Sequence, residues 1–457
     1  MTNPASIADT PHNTHTDLSL NRALDNHPDD IDDLNYANLS EALEQTMFEN
    51  FDEGLYIGMM SGTSLDGMDA VLCQFNNDMS HEKNTEQPMR LPATYSQGFP
   101  PRLREVLLAL CQPNGVNQLT PAADEPSSEL DWFGWASREY AEFASDVVNA
   151  LLQQAGTEVE AVLAIGCHGQ TVRHRPQMGF SLQLVDANII AERTGISVVS
   201  DFRRRDMAVG GQGAPLVPAF HQALFATLNS TRVLLNLGGI ANITVLPSTA
   251  NDTASDHPSK SVVGYDTGPA NLLLDAWTAL HTDKDYDDGG TWAQSGQVVE
   301  PLLNQLLEHP FFARPYPKST GREDFNLTWL QNELQKFDQA SVYVRYSSAD
   351  VQATLTELTA VSASAQIKPF LNKDGEASGA VYVCGGGALN HYLIKRLQAH
   401  LPHCTVETTA SLGLEPTWVE AVAFAWLARQ TLMGGTGNLP AVTGANKGVV
   451  LGQVCFA

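Results

Sequence analysis

Apolar residues recur from Leu55 onward in two patterns, short continuous runs and longer helical spacings. The short runs predict strands at 54–60, 69–75, 93–98, 161–168, 180–184, 231–237, 240–246, 261–265 and 379–384. The helical spacings predict helices at 130–154, 269–280, 349–371, 389–401 and 416–432. Strands and helices alternate, and a unit that opens with a β-hairpin occurs twice. We expect an α/β fold with mixed sheets, since a doubly wound fold would open with a strand–helix connection.

The first 53 residues differ from the rest in being polar and acidic. They contain 12 Asp and Glu residues against one Arg. We expect a disordered extension, because such a composition buries too little apolar surface to offset the entropy of ordering. The remaining chain is long enough for two domains, which we place at 54–210 and 211–435. The C-terminal segment 436–457 is a candidate to complete the first domain.

The overall charge limits the class of partner. The formal net charge is −26, which argues against a nucleic-acid partner and against an anionic membrane surface. An anionic substrate such as ATP would therefore have to meet a local cationic patch or a metal ion. The six cysteines are scattered without a CxxC pair, no signal-peptide pattern begins the chain, and no apolar run approaches the ~20 residues of a membrane helix. We expect a cytoplasmic protein.

Three glycine-rich turns stand out, each of which would be weak evidence by itself. The first turn, 60–69, has the sequence MSGTSLDGMD and lies between two apolar runs. The second contains Gly238 and Gly239 between two strands, and the third is a triple glycine, 385–387, between a strand and a helix. Glycine lets backbone N–H groups approach an anion closely. Ordinary tight turns remain the alternative for each, but two hairpin tips followed by a glycine-rich helix entry form a more specific arrangement.

This order of turns resembles the sugar kinase/Hsp70/actin superfamily of two-domain ATPases. More narrowly, the chain resembles the anhydro-N-acetylmuramic acid kinase family over roughly residues 54–457. The segments that carry the resemblance are MSGTSLDGMDAVL (60–72), GCHGQTVRHRP (166–176), SDFRRRDMAVGGQGAPLVPAFHQALF (200–225), LNLGGIANIT (235–244), GYDTGPANLLLDAW (264–277), KSTGREDFN (318–326), DVQATLTELTA (350–360), CGGGALN (384–390) and PTWVEAVAFAWLA (416–428).

The resemblance implies a fold and a reaction. The fold would be two RNase H-like domains of the actin and hexokinase type, with mixed sheets flanked by helices around an ATP cleft. Water would open the 1,6-anhydro ring of anhydro-N-acetylmuramic acid, and O6 would receive the γ-phosphoryl group of ATP, with Mg²⁺ as the metal cofactor. The products would be N-acetylmuramic acid 6-phosphate and ADP, in peptidoglycan (cell-wall) recycling. The family also suggests a homodimer.

The resemblance also assigns roles to individual residues. Asp266 would be the base that deprotonates water, whereas the sequence alone favours a helix N-cap at that position. The three turns would hold ATP through Gly62, Thr63, Ser64, Leu65, Asp66, Gly67, Met68, Asp69, Gly238, Gly239, Asn242, Gly385, Gly386 and Gly387. No metal ligand is assigned. Asp66 and Asp69 could orient waters of the metal ion, but a role in capping the turn explains them equally well.

Five further residues are candidates for contact with the sugar: Gln170, Thr171, Arg204, Asp206 and Glu420. A triple arginine, 203–205, stands out in so acidic a chain, although such a run is usually a solvated or ion-paired surface. A guanidinium pairs with a carboxylate through two parallel hydrogen bonds, so we expect Arg204 to bind the lactyl group or a phosphate. Glu420 interrupts an apolar helix, where an unpaired buried carboxylate would be costly. A histidine at the end of a strand, such as His168, is more often a structural residue than a catalyst. We expect the loop 318–322 at the rim of the cleft.

Two other functions remain open at this stage. The same fold could hydrolyse ATP or polyphosphate without a sugar acceptor, or act as a nucleotide switch that binds a protein partner. No peptide-binding module follows the predicted ATPase core, which disfavours the switch. An NAD-binding interpretation of the triple glycine is weaker still, because no GxGxxG opens a βαβ unit.

Overall fold

The structure is a computed structural model that describes residues 54–62, 65–76, 89–122, 125–248, 261–341, 343–373, 376–377 and 379–457. The expected disordered extension, most of the polar loops at 76–90 and 248–261, and the site candidates Thr63 and Ser64 lie outside these described residues. The domain boundaries at 210 and 435 stay predictions.

Fifteen strands are numbered in chain order over the described residues: β1 (Leu55–Met60), β2 (Gly67–Phe75), β3 (Met89–Gly98), β4 (Val162–Cys167), β5 (Gln170–Arg175), β6 (Phe180–Leu184), β7 (Val198–Ser200), β8 (Thr231–Leu237), β9 (Ile240–Leu246), β10 (Val263–Pro269), β11 (Asn372–Lys373), β12 (Glu376–Ala377), β13 (Gly379–Cys384), β14 (Thr405–Thr408) and β15 (Gln453–Cys455).

The α-helices of the same described ranges are numbered likewise: α1 (Pro101–Leu110), α2 (Glu129–Ala155), α3 (Ala187–Thr194), α4 (Phe202–Ala208), α5 (Val217–Phe225), α6 (Asn271–His281), α7 (Thr291–Ser295), α8 (Glu300–Leu307), α9 (Pro310–Ala313), α10 (Leu327–Ala340), α11 (Ser348–Leu371), α12 (His391–His400), α13 (Val419–Leu432) and α14 (Pro440–Thr443).

Two mixed sheets share one topology. The first has the order β15-β7-β4-β1-β2-β3, and the second has the order β10-β9-β8-β13-β14. In each sheet three antiparallel strands linked by hairpins are followed by two strands parallel to the opening strand. This repeated order is that of an RNase H-like domain, so the predicted α/β class with two such sheets flanked by helices is confirmed. The terminal strand β15 joins the first sheet by pairing with β7.

Helix α13 lies unusually close to the first sheet, and two glycines permit this approach. A Cβ at Gly58 in β1 would lie 1.9 Å from the carbonyl oxygen of Ala421, and a Cβ at Gly166 in β4 would lie 2.0 Å from that of Phe424. Apolar side chains of α13 fill a core that also includes Leu234 of the second sheet. The N-terminus of α13 is therefore fixed at the ends of β1 and β4, next to the tip of the second hairpin.

Most predicted elements are confirmed within a few residues, and the exceptions are informative. The strand predicted at 261–265 runs on to Pro269, so that Asp266 lies inside a strand and is not a helix cap. The hairpin of β5 and β6 was only half predicted, because the polar residues of β5 (QTVRHR) do not form an apolar run. Over the described residues, no helix has both the length and the apolar character that a membrane span requires.

Candidate active site

Three polar residues form a row across the second sheet. Asn236 on β8 is paired with Asn242 on β9, which is paired in turn with Asp266 on β10. Residues directly opposite one another on antiparallel strands place their side chains on the same face. All three side chains are partly exposed. Leu234 and Leu246 precede and follow this row on the same strands and pack toward α13, so the row lies on the face of the sheet that α13 covers.

The loop that follows α9 holds Asp266 in place. The Asp266 N–H donates to the carbonyl of Lys318 at 3.2 Å, and the Thr320 N–H donates to Oδ2 of Asp266 at 3.0 Å. Burial raises the pKa of Asp266 to about 7, the Thr320 N–H opposes this shift, and the charge of Glu323 adds to it. A carboxylate whose pKa lies near neutral pH is suited to general base catalysis.

Lys318 anchors this loop from below. Its side chain is buried, its Nζ donates to the carbonyls of Phe311 at 3.3 Å and Phe312 at 3.4 Å, and it lies 4.5 Å from the centre of the Phe311 ring. Burial lowers the pKa of Lys318. The segment expected only at the rim of the cleft therefore supports the candidate base through its backbone.

The first hairpin tip is tightly bent. Leu65 has a left-handed backbone (φ 58°), and its carbonyl accepts a hydrogen bond of 2.8 Å from Nε of Arg104. The side chains of Leu65 and Met68 are buried in the core of the first sheet, so these two positions offer only backbone groups to a ligand. A non-glycine residue with positive φ is uncommon and is often found at functional sites. Gly62 immediately precedes Thr63 and Ser64, which lie outside the described ranges.

Acidic groups collect where this tip faces helix α6. Burial raises the pKa of Asp275 to about 7, and the charges of Asp66, Asp285 and Asp287 raise it further. Burial also raises the pKa of Asp69, while a hydrogen bond from Ser96 opposes that rise and Asp66 adds to it. Among the described residues, no three His, Cys, Asp or Glu side chains are arranged to hold a metal ion. The negative charge at this end of the cleft is nevertheless a suitable environment for a hydrated divalent cation.

The second hairpin tip is packed against the start of α6. The carbonyl of Gly238 accepts from the Asn271 N–H at 3.1 Å, and that of Gly239 accepts from the N–H groups of Ala270 at 3.0 Å and Leu272 at 3.1 Å. These bonds satisfy N–H groups that a helix end leaves without intrahelical partners. The tip and α6 therefore form one rigid unit beside Asn242.

The third glycine turn contacts the second tip directly. Gly385 has φ 78°, and a Cβ there would lie 2.3 Å from Oδ1 of Asn236. A Cβ at Gly387 would lie 2.6 Å from Cβ of Leu237. Gly386 begins the short 3₁₀ turn that follows, and a Cβ there would lie 3.7 Å from Nδ2 of Asn271. The second and third turns thus come together in the structure.

Glu420 lies in the first turn of α13, near the row of polar residues. Its Oε1 accepts from Nδ2 of Asn236 at 3.3 Å. Burial raises the pKa of Glu420, the guanidinium of Arg203 opposes this shift, and the charge of Asp69 adds to it. This carboxylate therefore lies between the two sheets and is partly exposed.

The structure places Arg203, and not Arg204, near Glu420. Arg204 is exposed and pairs with Asp201, to which its Nε donates at 2.6 Å. Arg203 points inward, where Nη1 donates to the carbonyl of Gly213 at 2.8 Å and Nη2 donates to Nε2 of His168 at 2.8 Å. Arg204 thus matches the ion-paired surface alternative, its contact with the sugar stays a prediction, and the neighbouring Arg203 is the arginine near Glu420.

Asp206 is fully buried and holds chain segments together. Its Oδ1 accepts from Nδ2 of Asn438 at 2.6 Å and from Oγ1 of Thr443 at 2.7 Å, and its Oδ2 accepts from the Gly213 N–H at 2.8 Å. These contacts tie the loop after α4 to the C-terminal segment. The predicted contact of Asp206 with sugar finds no support in this arrangement, because its carboxylate has no exposed surface.

The remaining sugar candidates lie beside the first sheet. Gln170 is buried, and Thr171 is partly exposed, with its hydroxyl accepting from Nε2 of Gln183 at 3.1 Å. His168 is buried directly after β4, where burial and the charge of Arg203 hold its pKa well below the usual range. The structure thus brings Arg203 near both His168 and Glu420, whereas Gln170 and Thr171 lie on strand β5.

Comparison with known proteins decides the family. Residues 54–457 match the family model described as anhydro-N-acetylmuramic acid kinase. The chain belongs to the anhydro-N-acetylmuramic acid kinase family. A member from Psychrobacter arcticus is 81% identical over 438 residues, covering 93% of this chain and 100% of the relative. A member from Shewanella amazonensis is 46% identical, covering 88% of this chain and 98% of its own.

Solved structures of similar shape are more distant. A glucokinase of the ROK family from Streptomyces griseus, in complex with glucose and AMPPNP, is 12% identical with a TM-score of 0.36, covering 82% of this chain and 100% of its own. An activator of 2-hydroxyisocaproyl-CoA dehydratase from Clostridium difficile, with bound ADPNP, is 11% identical with a TM-score of 0.38, covering 83% of this chain and 95% of its own. Both scores are low, so the fold assignment depends on the strand order described above.

Four residues that the structure brings to the site of this anhydro-N-acetylmuramic acid kinase family member were not predicted from its sequence: Asn236, Asp275, Arg203 and Thr320. Asn236 carried a weak signal, because it is a polar residue two positions before Gly238 in an otherwise apolar strand. Asp275 lies in the family segment 264–277, but nothing local singles it out, since its environment depends on acidic groups from other elements. The choice between neighbouring arginines depends on the direction of one short helix, which the sequence does not show.

Proposed function

We propose that this chain is an ATP-dependent kinase that opens the 1,6-anhydro ring of anhydro-N-acetylmuramic acid with water and phosphorylates O6. The products are N-acetylmuramic acid 6-phosphate and ADP, and the reaction serves peptidoglycan recycling. The observation that carries the proposal is the position of Asp266. A carboxylate with a pKa of about 7 lies on the same face as Asn242 at the second hairpin tip, in a chain of this kinase family.

Asp266 takes the proton from the attacking water. As water adds to C1, the bond from C1 to the bridging oxygen breaks, and that oxygen becomes O6 of the product. O6 receives the phosphoryl group while the bond between the γ-phosphorus and the β,γ-bridging oxygen breaks. One anhydro sugar, one water and one ATP are consumed, one sugar 6-phosphate and one ADP are released, and Asp266 returns its proton to solvent before the next turnover. The backbone contacts from Lys318 and Thr320 hold the carboxylate in a fixed orientation for this step.

Binding of the two substrates is divided between the glycine turns and the side of the cleft opposite Asp266. The backbone of the first tip, including Gly62, Asp66 and Gly67, contacts the phosphates together with the second tip. The third turn lies against the adenosine. On the sugar side, Arg203 neutralises the lactyl carboxylate, and Glu420 accepts a hydrogen bond from a hydroxyl group. Both lie between the two sheets, where the acceptor must meet the γ-phosphate.

Mg²⁺ fits the acidic end of the cleft. The charge of Asp66 acts on Asp275 there, and a cation would relieve their mutual repulsion. Mg²⁺ keeps several waters and binds phosphate oxygens, so one or two carboxylates are enough to hold it. The ion would neutralise charge on the transferring phosphoryl group. A cytoplasmic location, supported by the scattered cysteines, and a homodimer, supported by the family resemblance, are part of the same proposal.

The test is a coupled assay of ADP release with the purified full chain. The panel contains the 1,6-anhydro muramyl sugar, its ring-opened form and glucose, each with Mg²⁺ and ATP. We expect ADP release that depends on the anhydro sugar and yields a 6-phosphate. Equal ADP release with and without sugar would favour the alternative, an ATP hydrolase of the same fold, and would overturn the proposal.

A further inference from the structure

His168 occupies a fixed position behind the cleft. Its backbone N–H donates to the carbonyl of Met59 on the neighbouring strand at 3.1 Å, and its ring centre lies 4.7 Å from that of Phe424 on α13. Only 4% of the residue's surface is exposed. A titratable group in such a place is either a structural residue or a partner of the site, and its hydrogen bonds distinguish these roles.

The hydrogen bond from Arg203 fixes the protonation of His168. A guanidinium has only donors, so Nε2 of His168 must accept the bond of 2.8 Å with its lone pair. The single ring proton then resides on Nδ1, which is buried. A proton on Nε2 as well would place two donors against each other. His168 is therefore a neutral acceptor and is unsuited to proton transfer.

Two acceptors determine the direction of the Arg203 guanidinium. The carbonyl of Gly213 receives Nη1, and His168 receives Nη2. Nε is buried without a partner among the described residues, and the charge of Glu420 attracts the group from the cleft side. Burial lowers the pKa of Arg203 to about 10, against the opposing effect of Glu420, so the group keeps its charge at neutral pH. A charged fork with two fixed bonds presents its remaining N–H groups in one direction.

We infer that His168 is a positioning residue, which holds the Arg203 guanidinium toward the acidic group of the sugar. The inference rests on the proposed function, since Arg203 is there assigned to the lactyl carboxylate. His168 does not touch the substrate and carries no proton in the reaction. It acts by supplying the acceptor that directs one end of the fork, while the backbone of the loop after α4 directs the other.

Three substitutions separate positioning from packing. In His168→Gln the side-chain oxygen reaches the place of Nε2 and keeps an acceptor for Arg203. In His168→Asn the amide ends near the place of Nδ1, so the polarity is matched but the reach is lost. In His168→Phe the ring that contacts Phe424 is kept and the acceptor is removed. Melting temperatures of all three variants show whether the fold survives.

Steady-state kinetics of the full chain provide the main test. Loss of a hydrogen bond to a charged group corresponds to roughly a 10- to 100-fold change in binding. We expect His168→Asn and His168→Phe to raise KM for the anhydro sugar by about 10-fold or more, with KM for ATP within about 2-fold of wild type. We expect His168→Gln to stay within about 3-fold of wild type for both substrates, because the acceptor is restored. The pH profile of kcat/KM should keep its acidic limb in His168→Gln.

Three results would overturn the inference. One is a glutamine variant as impaired as the asparagine variant, and another is an equal loss for ATP and sugar. The third is disappearance of a pH limb in His168→Gln, which would make His168 an acid or base.

A wild-type enzyme without sugar-dependent ADP release would instead refute the proposed function. In that case long-range ¹⁵N–¹H spectra, assigned by difference from His168→Gln, still test the inference without substrate. We expect an Nε2 that carries no proton at neutral pH, and a protonated Nε2 would contradict the inference.

Discussion

Replacement of Asp266 by asparagine removes the base while it keeps the local hydrogen bonds. The side-chain oxygen of the new amide is able to accept from the Thr320 N–H, which in the wild-type chain bonds Oδ2 at 3.0 Å. The backbone bond to Lys318 is unaffected by the substitution. The shape of the site is therefore preserved, and only the capacity to take a proton is lost.

The magnitude follows from the role of the carboxylate and from its pKa. A positioned general base contributes roughly 10²- to 10⁴-fold, so we expect kcat of Asp266→Asn to fall by that factor. With a pKa of about 7, roughly one tenth of wild-type molecules carry an ionised Asp266 at pH 6 and roughly nine tenths at pH 8. Wild-type kcat/KM should therefore rise with pH up to about 7 and level off above it, as long as substrate and other groups keep their charge.

The assay is ADP release at saturating ATP and sugar, with ATP affinity measured separately by calorimetry. Stability provides the control. The pKa of Asp266 in the folded chain lies above its ordinary value of 3.8, so protonation favours folding between these values and ionisation costs stability above about pH 7. Asp266→Asn should therefore be at least as stable as wild type at about pH 8. A variant that binds ATP normally and keeps kcat within a few-fold of wild type would refute the assignment of Asp266 as the base.

Three further predictions concern the supports of the site. Arg203→Lys should raise KM for the sugar by about 10-fold or more because the fork is lost, whereas Arg204→Lys should leave it within about 2-fold; equal effects in the same kinetic assay would contradict the placement of the two side chains. Gly58→Ala should lower the free energy of unfolding by about 1–3 kcal/mol, measured in urea, since its Cβ would lie 1.9 Å from a carbonyl oxygen of α13; an unchanged midpoint would argue against this packing. Asp206→Asn should lower the free energy of unfolding by about 1–3 kcal/mol with little change in KM, because a buried acceptor of three hydrogen bonds becomes partly a donor. A large rise in KM for the sugar at unchanged stability would instead support a contact of Asp206 with the substrate.

Much of the fold is predictable from the sequence because the two sheets are built from apolar strands. Strands β9 (Ile240–Leu246) and β6 (Phe180–Leu184) have the predicted bounds. Each begins directly after a glycine, which marks the start of the apolar run. Strand β5 (Gln170–Arg175) is held by pairing with β6 and not by its own composition, so its periodicity gives little warning.

The candidate site is predictable only where a family segment or a break in a local pattern marks a residue. Asp266 is assigned as the base through a family segment, and Glu420 is singled out because it interrupts an apolar helix. Arg203 and Arg204 differ by one position on a seven-residue helix, and the direction of that helix depends on packing of Phe202 and on the burial of Asp206. Such tertiary constraints have no local signal, which is why the sequence does not distinguish the inward-pointing arginine from the exposed one.

The support of Asp266 shows the same limit. Lys318 and Thr320 are distant from Asp266 in the sequence, and they bond to it because the chain after α9 returns alongside β10. Their composition, KSTGR, indicates only an exposed polar loop. Lys318 is nevertheless buried, because two carbonyl groups and the Phe311 ring receive its ammonium group. The family pattern includes this loop, but only the structure shows that its backbone holds Asp266 in place.

In the proposed reaction, water attacks the sugar and the phosphoryl group goes to O6. Turnover in ¹⁸O-labelled water distinguishes this course from attack on the nucleotide, with ³¹P NMR of the phosphorylated product and prompt mass spectrometry of its sugar carbon skeleton. We expect one ¹⁸O atom at C1 and no label on the phosphate. Labelled inorganic phosphate, or a sugar phosphate that carries the label on phosphorus, would show that water attacks the nucleotide and would contradict the proposed reaction.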